Sequence, residues 1–256
     1  MSLHRFSRTE LLIGSKGLST LAGKHVMICG IGGVGSYAAE ALGRAGVGHI
    51  TLVDFDDICL TNVNRQIHAL SSTVGLSKVE VTANRLQDIN PAANIVPVKA
   101  FFTIENAEQM LTPRPDYVLD AIDHFTAKAA LITICRELGI RVISSMGAAN
   151  KLDPTKIHVA DISATHNCRM ARSMRKMLRK AGITSGVQVV YSTEEHRELD
   201  PHSLHCGTEC ICPNRGSQPF SCENRRVVLG SISYIPSILG LTMAGVVINE
   251  LLNESQ

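Results

Sequence analysis

Val26-Met27-Ile28-Cys29-Gly30-Ile31-Gly32-Gly33-Val34-Gly35-Ser36 runs from an apolar strand through a glycine turn into the start of a helix. Val26 to Cys29 is a short buried run, and Ser36-Tyr37-Ala38-Ala39-Glu40-Ala41-Leu42 carries a helical pattern. Glycine turns the chain tightly and lets backbone N–H groups approach a phosphate with no side chain in the way. The following helix points its positive end at the same place. Gly30, Gly32, Gly33 and Gly35 therefore read as a nucleotide phosphate cradle. Asp54 ends the next strand, 49–53, at the position from which a carboxylate bonds a ribose hydroxyl.

Strand and helix patterns alternate outward from this stretch. Strands are predicted at 25–30, 49–53, 94–99, 116–121 and 141–146, and helices near 34–46, 78–89, 105–111 and 125–138. Asn90-Pro91 closes the second of these helices. Such alternation gives an α/β fold, a Rossmann-like and mostly parallel sheet with helices on both faces. Past Gly147 come a C-terminal extension of further strands, 157–162 and 187–191, a basic helix over 169–180 and an apolar segment over 227–252. One domain over 1–256 is expected. It divides into an N-terminal arm, 1–24, with a short helix at Glu10-Leu11-Leu12-Ile13, a nucleotide core, 25–150, and a substrate and dimer half, 151–256. The polar, cysteine-rich stretch 193–225 reads as a mobile loop.

Composition narrows the classes. With 256 residues, 45% hydrophobic and 19% charged, the chain can bury a real core. A net charge of +2 does not by itself announce a nucleic-acid binder, and the absence of Trp argues against aromatic stacking platforms. Met1 to Arg8 lacks the apolar core of a signal peptide, and eight irregularly spaced cysteines suit a reducing cytoplasm with mostly free thiols. The segment 227–252 is long enough for a membrane span, but Ser231, Ser233, Pro236 and Asn249 favour a helix over 236–251 buried against the sheet or at a dimer interface. Peripheral association with the inner membrane is the alternative.

A cradle alone does not separate a dehydrogenase from an ATP user. Asp56, Asn62, Arg65, Gln66 and Lys78, crowded after the second strand, do so. Arg and Lys neutralise a triphosphate and the amides fix its oxygens. Asp120-Ala121-Ile122-Asp123 closes a strand at the sheet's carboxyl edge, where ligands sit. Asp123 is assigned to Mg²⁺ and Asp120 to its support, with an N-cap of the helix near Phe125 as the competing role for Asp123.

Three other groups invite chemistry. Cys206, Cys210, Cys212 and Cys222 lie near His202 and His205, but no C-x-x-C pair exists, so a disulfide or free thiols fit better than zinc. Cys168 opens the basic helix and reads as a neighbour of its cap rather than a nucleophile. Arg169, Arg172, Arg175, Lys176, Arg179 and Lys180, with no acid among them, exceed what solubility asks and mark a surface for nucleic-acid phosphates.

Gly30-x-Gly32-Gly33-x-Gly35, Asp54, Thr61-Asn62-Val63-Asn64-Arg65-Gln66, Lys78 and Asp120-x-x-Asp123 resemble the HesA/MoeB/ThiF adenylating enzymes, relatives of ubiquitin activators. Arg5-Phe6-Ser7-Arg8 is similar to their N-terminal motif, in which an arginine enters the partner subunit's ATP site. The stretches 142–148, 160–163 and 228–236 resemble the branch that dehydrates threonylcarbamoyladenosine in the tRNA anticodon loop. This resemblance implies ATP and Mg²⁺, with sodium or potassium as a further ion, and a homodimer acting on tRNA. It implies catalytic roles for Arg8, Arg65, Lys78 and Asp123, with Arg5 as a second candidate for the arginine in trans. It also admits a cysteine desulfurase or sulfur-acceptor system as partner. The competing reading is an activator of a small ubiquitin-like sulfur-carrier protein, and a third is a nucleotide-sensing scaffold.

Overall fold

The computed structural model describes residues 3–199 and 229–253. Seven strands form one sheet: β1 (His25–Cys29), β2 (His49–Val53), β3 (Asn94–Val98), β4 (Tyr117–Asp120), β5 (Arg141–Ser145), β6 (Ile157–Asp161) and β7 (Gln188–Ser192). Their order is β3-β2-β1-β4-β5-β7-β6, parallel except for β6, which runs antiparallel to β7. Pro97 lies in β3, an edge strand, where a missing N–H is tolerated.

The strands read as continuous apolar runs because both faces of the sheet are covered. Val26 and Ile28 of β1 point to one face, Met27 and Cys29 to the other. The first face carries α1 (Ser7–Ala22), α2 (Gly35–Ala45), α3 (Lys78–Ile89) and α7 (Tyr234–Asn253). The second carries α4 (Ala107–Met110), α5 (Phe125–Glu137) and α6 (Arg169–Lys180). The expected strands and helices are all present.

Two features differ from expectation or sharpen it. The arm helix is longer than the four residues read from sequence: α1 spans sixteen, with Gly14 at φ +73° kinking it in the middle. Two glycines in the pattern, Gly14 and Gly17, hide that length. The apolar C-terminal segment is helix α7, as expected. Ile235, Leu239, Met243, Val247 and Leu251 are fully buried on the first face. A Cβ on Gly240 would lie 2.2 Å from the Val34 carbonyl oxygen, so α7 rests directly on the start of α2. It has the length and hydropathy of a membrane span, with half of its apolar window buried in the protein. The four cysteines between 206 and 222, with His202 and His205, lie outside the described residues.

The order of strand addition reverses between β1 and β4: β2 and β3 lie to one side of β1, and β4, β5, β7 and β6 to the other. The crevice at the carboxyl ends of β1 and β4 is where open α/β sheets bind ligands.

Candidate active site

The glycine turn fills that crevice, and its glycines do different work. Gly30 has φ +90°, and a Cβ there would sit 2.7 Å from the Ala121 carbonyl oxygen. A Cβ on Gly35 would fall 1.8 Å from the Gly30 carbonyl oxygen. These two are required by packing of strand, turn and helix. A Cβ on Gly33 would meet Pro236 Cβ at 3.0 Å and Arg65 Cγ at 3.4 Å. Gly32 is the open one: its nearest neighbour would be Gln66 Nε2, at 3.8 Å. No side chain caps α2; of its first N–H groups, Ser36 N donates to the Gly32 carbonyl oxygen at 3.1 Å.

Asp54 organises the turn. Its carboxylate, buried to 9% exposure, accepts from Ile31 N at 2.6 Å and Asp56 N at 2.8 Å. Burial pushes its pKa up, and Lys78 pulls it back in part. Lys78 opens α3 and is buried, with Nζ 2.7 Å from Asp56 Oδ2 and 3.9 Å from Asp54 Oδ1. Burial opposes its charge, but Asp54 and Asp56, and behind them Asp123, outweigh burial and hold the pKa above the ordinary lysine value. The site therefore keeps a fixed ammonium among carboxylates at the mouth of the glycine turn.

The 58–77 crossover brings the remaining groups in. Asn62 is buried, and its Oδ1 accepts from Cys59 N at 3.0 Å, so the side chain folds the turn that presents its neighbours. Arg65 Nη1 donates to Thr61 O at 2.9 Å and Asn64 Oδ1 at 2.8 Å, while the Cγ and carbonyl oxygen of Arg65 lie beside Gly33. Gln66 is buried with Oε1 unpartnered, and its Nε2 is the atom nearest Gly32. An orphaned buried acceptor next to uncapped helix N–H groups suits a polar guest. Phe55 and Phe101 meet edge to face at 5.2 Å, and Phe101 meets His124 at 5.5 Å. They stand at the carboxyl edge beside Asp54, a wall of the kind on which a purine stacks.

The two acids after β4 are unlike. Asp120 is fully buried and bonded to Lys128, while Asp123 is exposed. The cap of α5 is His124, whose Nδ1 accepts from Ala127 N at 3.3 Å, so the cap role considered for Asp123 falls to its neighbour. No cluster of three or more His, Cys, Asp or Glu able to hold a metal occurs among the described residues. Mg²⁺ is held by one or two carboxylates plus substrate phosphates, a donor set to which the exposed Asp123, near enough to Lys78 to influence it, could contribute one carboxylate.

Arg8 and Arg5 part company. Arg5 Nη1 donates to Ile89 O at 2.8 Å and Asp88 O at 3.3 Å, capping the far end of α3 in its own chain. That contact argues against the trans role considered for Arg5. Arg8 is exposed on α1. On α6, Arg169, Arg172, Lys176, Arg179 and Lys180 are exposed and fall within an arc of about 100° at 3.6 residues per turn. Arg175 does not join them: its Nη1 donates to Thr165 O at 3.0 Å and to Thr165 Oγ1, bracing the turn before the helix. Cys168 is buried, and its Sγ accepts from Ala171 N at 3.5 Å, so it is itself the N-cap of α6 rather than a neighbour of the cap.

Comparison with known proteins adds a family. The family model described as ThiF family matches residues 6–256. The chain belongs to the ThiF family. This ThiF-family chain is 45% identical over 252 residues to the tRNA threonylcarbamoyladenosine dehydratase of Bacillus subtilis (strain 168), covering 98% of this chain and 96% of that protein. Among solved structures it is similar to the Escherichia coli tRNA N6-threonylcarbamoyladenosine dehydratase in complex with AMP, at TM-score 0.85 and 35% identity over 98% of this chain and 94% of that one. The same enzyme in complex with ATP matches at TM-score 0.78 and 36% identity, over 98% and 93%. The Escherichia coli molybdopterin-synthase adenylyltransferase, which stands for the sulfur-carrier reading, is 36% identical over only 58% of this chain.

Of the residues singled out from sequence, the fold gathers Gly32, Gly33, Asp54, Asp56, Arg65, Gln66, Lys78 and Asp123 at one edge. It leaves Arg8 elsewhere and separates Arg175 from the other α6 cations. Sequence reading missed the ThiF-family chain's His124 cap, its Phe55–Phe101 wall and Lys128. Only Lys128 left a trace, as a lone cation in the apolar face of α5.

Proposed function

We propose that this chain activates the threonyl carboxylate of threonylcarbamoyladenosine in tRNA with ATP and then closes it into a ring, with net loss of water. The observation that carries the reading is Lys78, fixed by Asp54 and Asp56 at the mouth of an uncapped glycine turn. A triphosphate needs such a cation there. Similarity to dehydratases over nearly the whole chain supports the substrate.

The chemistry follows from that placement. The carboxylate oxygen attacks the α-phosphate of ATP. The bond to the β-phosphate breaks and pyrophosphate leaves with its electron pair. A carbamoyl nitrogen of the same substrate then attacks the acyl carbon, loses its proton and expels AMP. Ring closure is intramolecular, so the protein supplies position and charge rather than a nucleophile. Arg65 and Lys78 face the phosphates, with the Gly32–Gly35 N–H groups behind them. Asp54 retains lone pairs for a ribose hydroxyl. Asp123 would hold Mg²⁺, which supplies charge neutralisation at the phosphates when bound.

Arg8 completes the site of a second copy. Arg5 fixes the start of α1 at the C-terminal end of α3, whereas Lys78 stands at the N-terminal end. Twelve residues of helix separate those ends by about 18 Å. Arg8 therefore serves a neighbour's phosphates better than its own. The exposed α6 cations offer the phosphate backbone of tRNA a surface.

The test uses purified protein, ATP, Mg²⁺ and tRNA carrying the modification. Nucleoside mass spectrometry is expected to find a species lighter by one water, with AMP and pyrophosphate released in equal amounts. Pyrophosphate release that instead requires a small carrier protein would hand the site to the sulfur-carrier reading.

A further inference from the structure

Lys128 and Asp120 form an ion pair in which neither side chain is exposed at all. Lys128 Nζ donates to Asp120 Oδ2 at 2.8 Å, Ser144 Oγ at 3.1 Å and Ser145 O at 2.9 Å. Ser144 Oγ donates to the same Asp120 oxygen at 2.6 Å. The other oxygen, Oδ1, accepts from Ile122 N at 3.1 Å. One ammonium on α5 thus ties together the carboxyl ends of β4 and β5 and, through Asp120, the turn that follows β4.

A buried ion pair is seldom the most stable way to fill a core; apolar side chains of similar volume serve as well or better. Its place here suggests another use. Asp123 comes directly after the tethered Ile122, is exposed, and its charge is felt by Lys78 across the glycine turn. Asp120 is fully buried and has both carboxylate oxygens engaged inside the protein. Of two acids three residues apart, the pair withdraws one and steadies the peptide that presents the other.

We propose that Lys128 is a positioning residue for the nucleotide-bound metal. By holding Asp120 it fixes the 121–123 turn, so that Asp123 alone offers its carboxylate to Mg²⁺ on ATP. The inference rests on the reading of this crevice as a Mg²⁺–ATP site. Groups behind a metal ligand typically change metal affinity by roughly 10- to 100-fold when removed.

Calorimetric titrations with ATP plus Mg²⁺, ATP plus EDTA, and AMP test it. Lys128→Met alone leaves Asp120 as an unpaired buried charge, so the paired variant Lys128→Met with Asp120→Asn carries the experiment, with its melting temperature as the check of folding. The expected result is an AMP affinity within about 3-fold of wild type, while the gain in ATP affinity on adding Mg²⁺ falls roughly 10- to 100-fold. A paired variant that keeps the full Mg²⁺ gain overturns the proposal. So does an equal loss for AMP and Mg²⁺–ATP, which would make the network a structural brace. A wild-type protein that binds ATP equally well with and without Mg²⁺ would instead strike at the reading of the crevice, before any variant is made.

Discussion

The Lys78 ammonium lies 2.7 Å from the Asp56 carboxylate at the start of α3, with the lysine itself buried. A cation held this way is positioned before the phosphates arrive, and preorganised charge is the largest usual contribution to such reactions. Lys78→Met is expected to lower kcat for AMP formation by about 10² to 10³-fold, the range seen when one preorganised donor is lost. Single-turnover assays with labelled ATP measure it, and a rate within a few-fold of wild type removes Lys78 from the chemistry.

Arg8 follows three residues after Arg5, which is bonded at the opposite end of α3 from Lys78 in the same chain. Arg8→Ala is expected to abolish turnover, and Lys78→Met to leave at most about one part in 10² of it. Mixing the two inactive proteins regenerates, in the mixed dimers, one intact site with Arg8 from one copy and Lys78 from the other. About a quarter of wild-type activity is the expected ceiling if the subunits exchange at random and an intact site works alone. A mixture as inactive as its components argues against action in trans.

Charge on α6 is expected to act on tRNA and not on ATP. Arg172→Glu with Arg179→Glu raises the KM for tRNA, and the dependence of binding on salt becomes shallower as phosphate contacts are lost. Arg175→Ala, in contrast, unbraces Thr165 and lowers stability by about 1–2 kcal/mol with little effect on the salt slope. Filter binding across a salt series and thermal melts separate the two.

Acid destabilises the fold through its histidines. Burial and the neighbouring His49 lower the His25 pKa to about 4, and burial with Lys78 lowers that of His68 to about 3. An unfolded histidine titrates near 6.5, so between that pH and the folded value the unfolded chain binds more protons. Stability therefore rises with pH across this window and is lost on acidification, by up to about 1.4 kcal/mol per pH unit for each histidine. Glu40 and Asp116, whose pKa values are lowered in the folded protein, add their loss at lower pH. Denaturant melts between pH 7 and 4 are expected to show the slope, and His25→Gln to flatten it.

The sheet was legible because each strand is an apolar run bounded by turn residues and each helix has its own period. The glycine spacing located the crevice, since turn, phosphate approach and helix start all constrain the same few residues. What escaped was whatever depends on partners distant in sequence. Lys128 meets Ser144 only after β4 and β5 pair, and its place in the apolar face of α5 does not name the partners it finds there. Arg175 looks like its neighbours until the turn at Thr165 comes within reach of its guanidinium. Asp123 and His124 compete for the same cap, and the backbone alone decided between them. Gly30 and Gly35 belong to the motif, yet the carbonyl oxygens of Ala121 and Gly30 require them more directly than a phosphate does.

Pro236, at the start of α7, presses on Gly33, and Gly240 on the backbone of Val34. Some two hundred residues of chain separate the wall of the cradle from the buttress behind it. During synthesis the glycine turn therefore emerges long before the helix that steadies it. An early fragment has every phosphate-facing amide and lacks their support, so competence to grip a nucleotide is acquired late, when the last long helix docks.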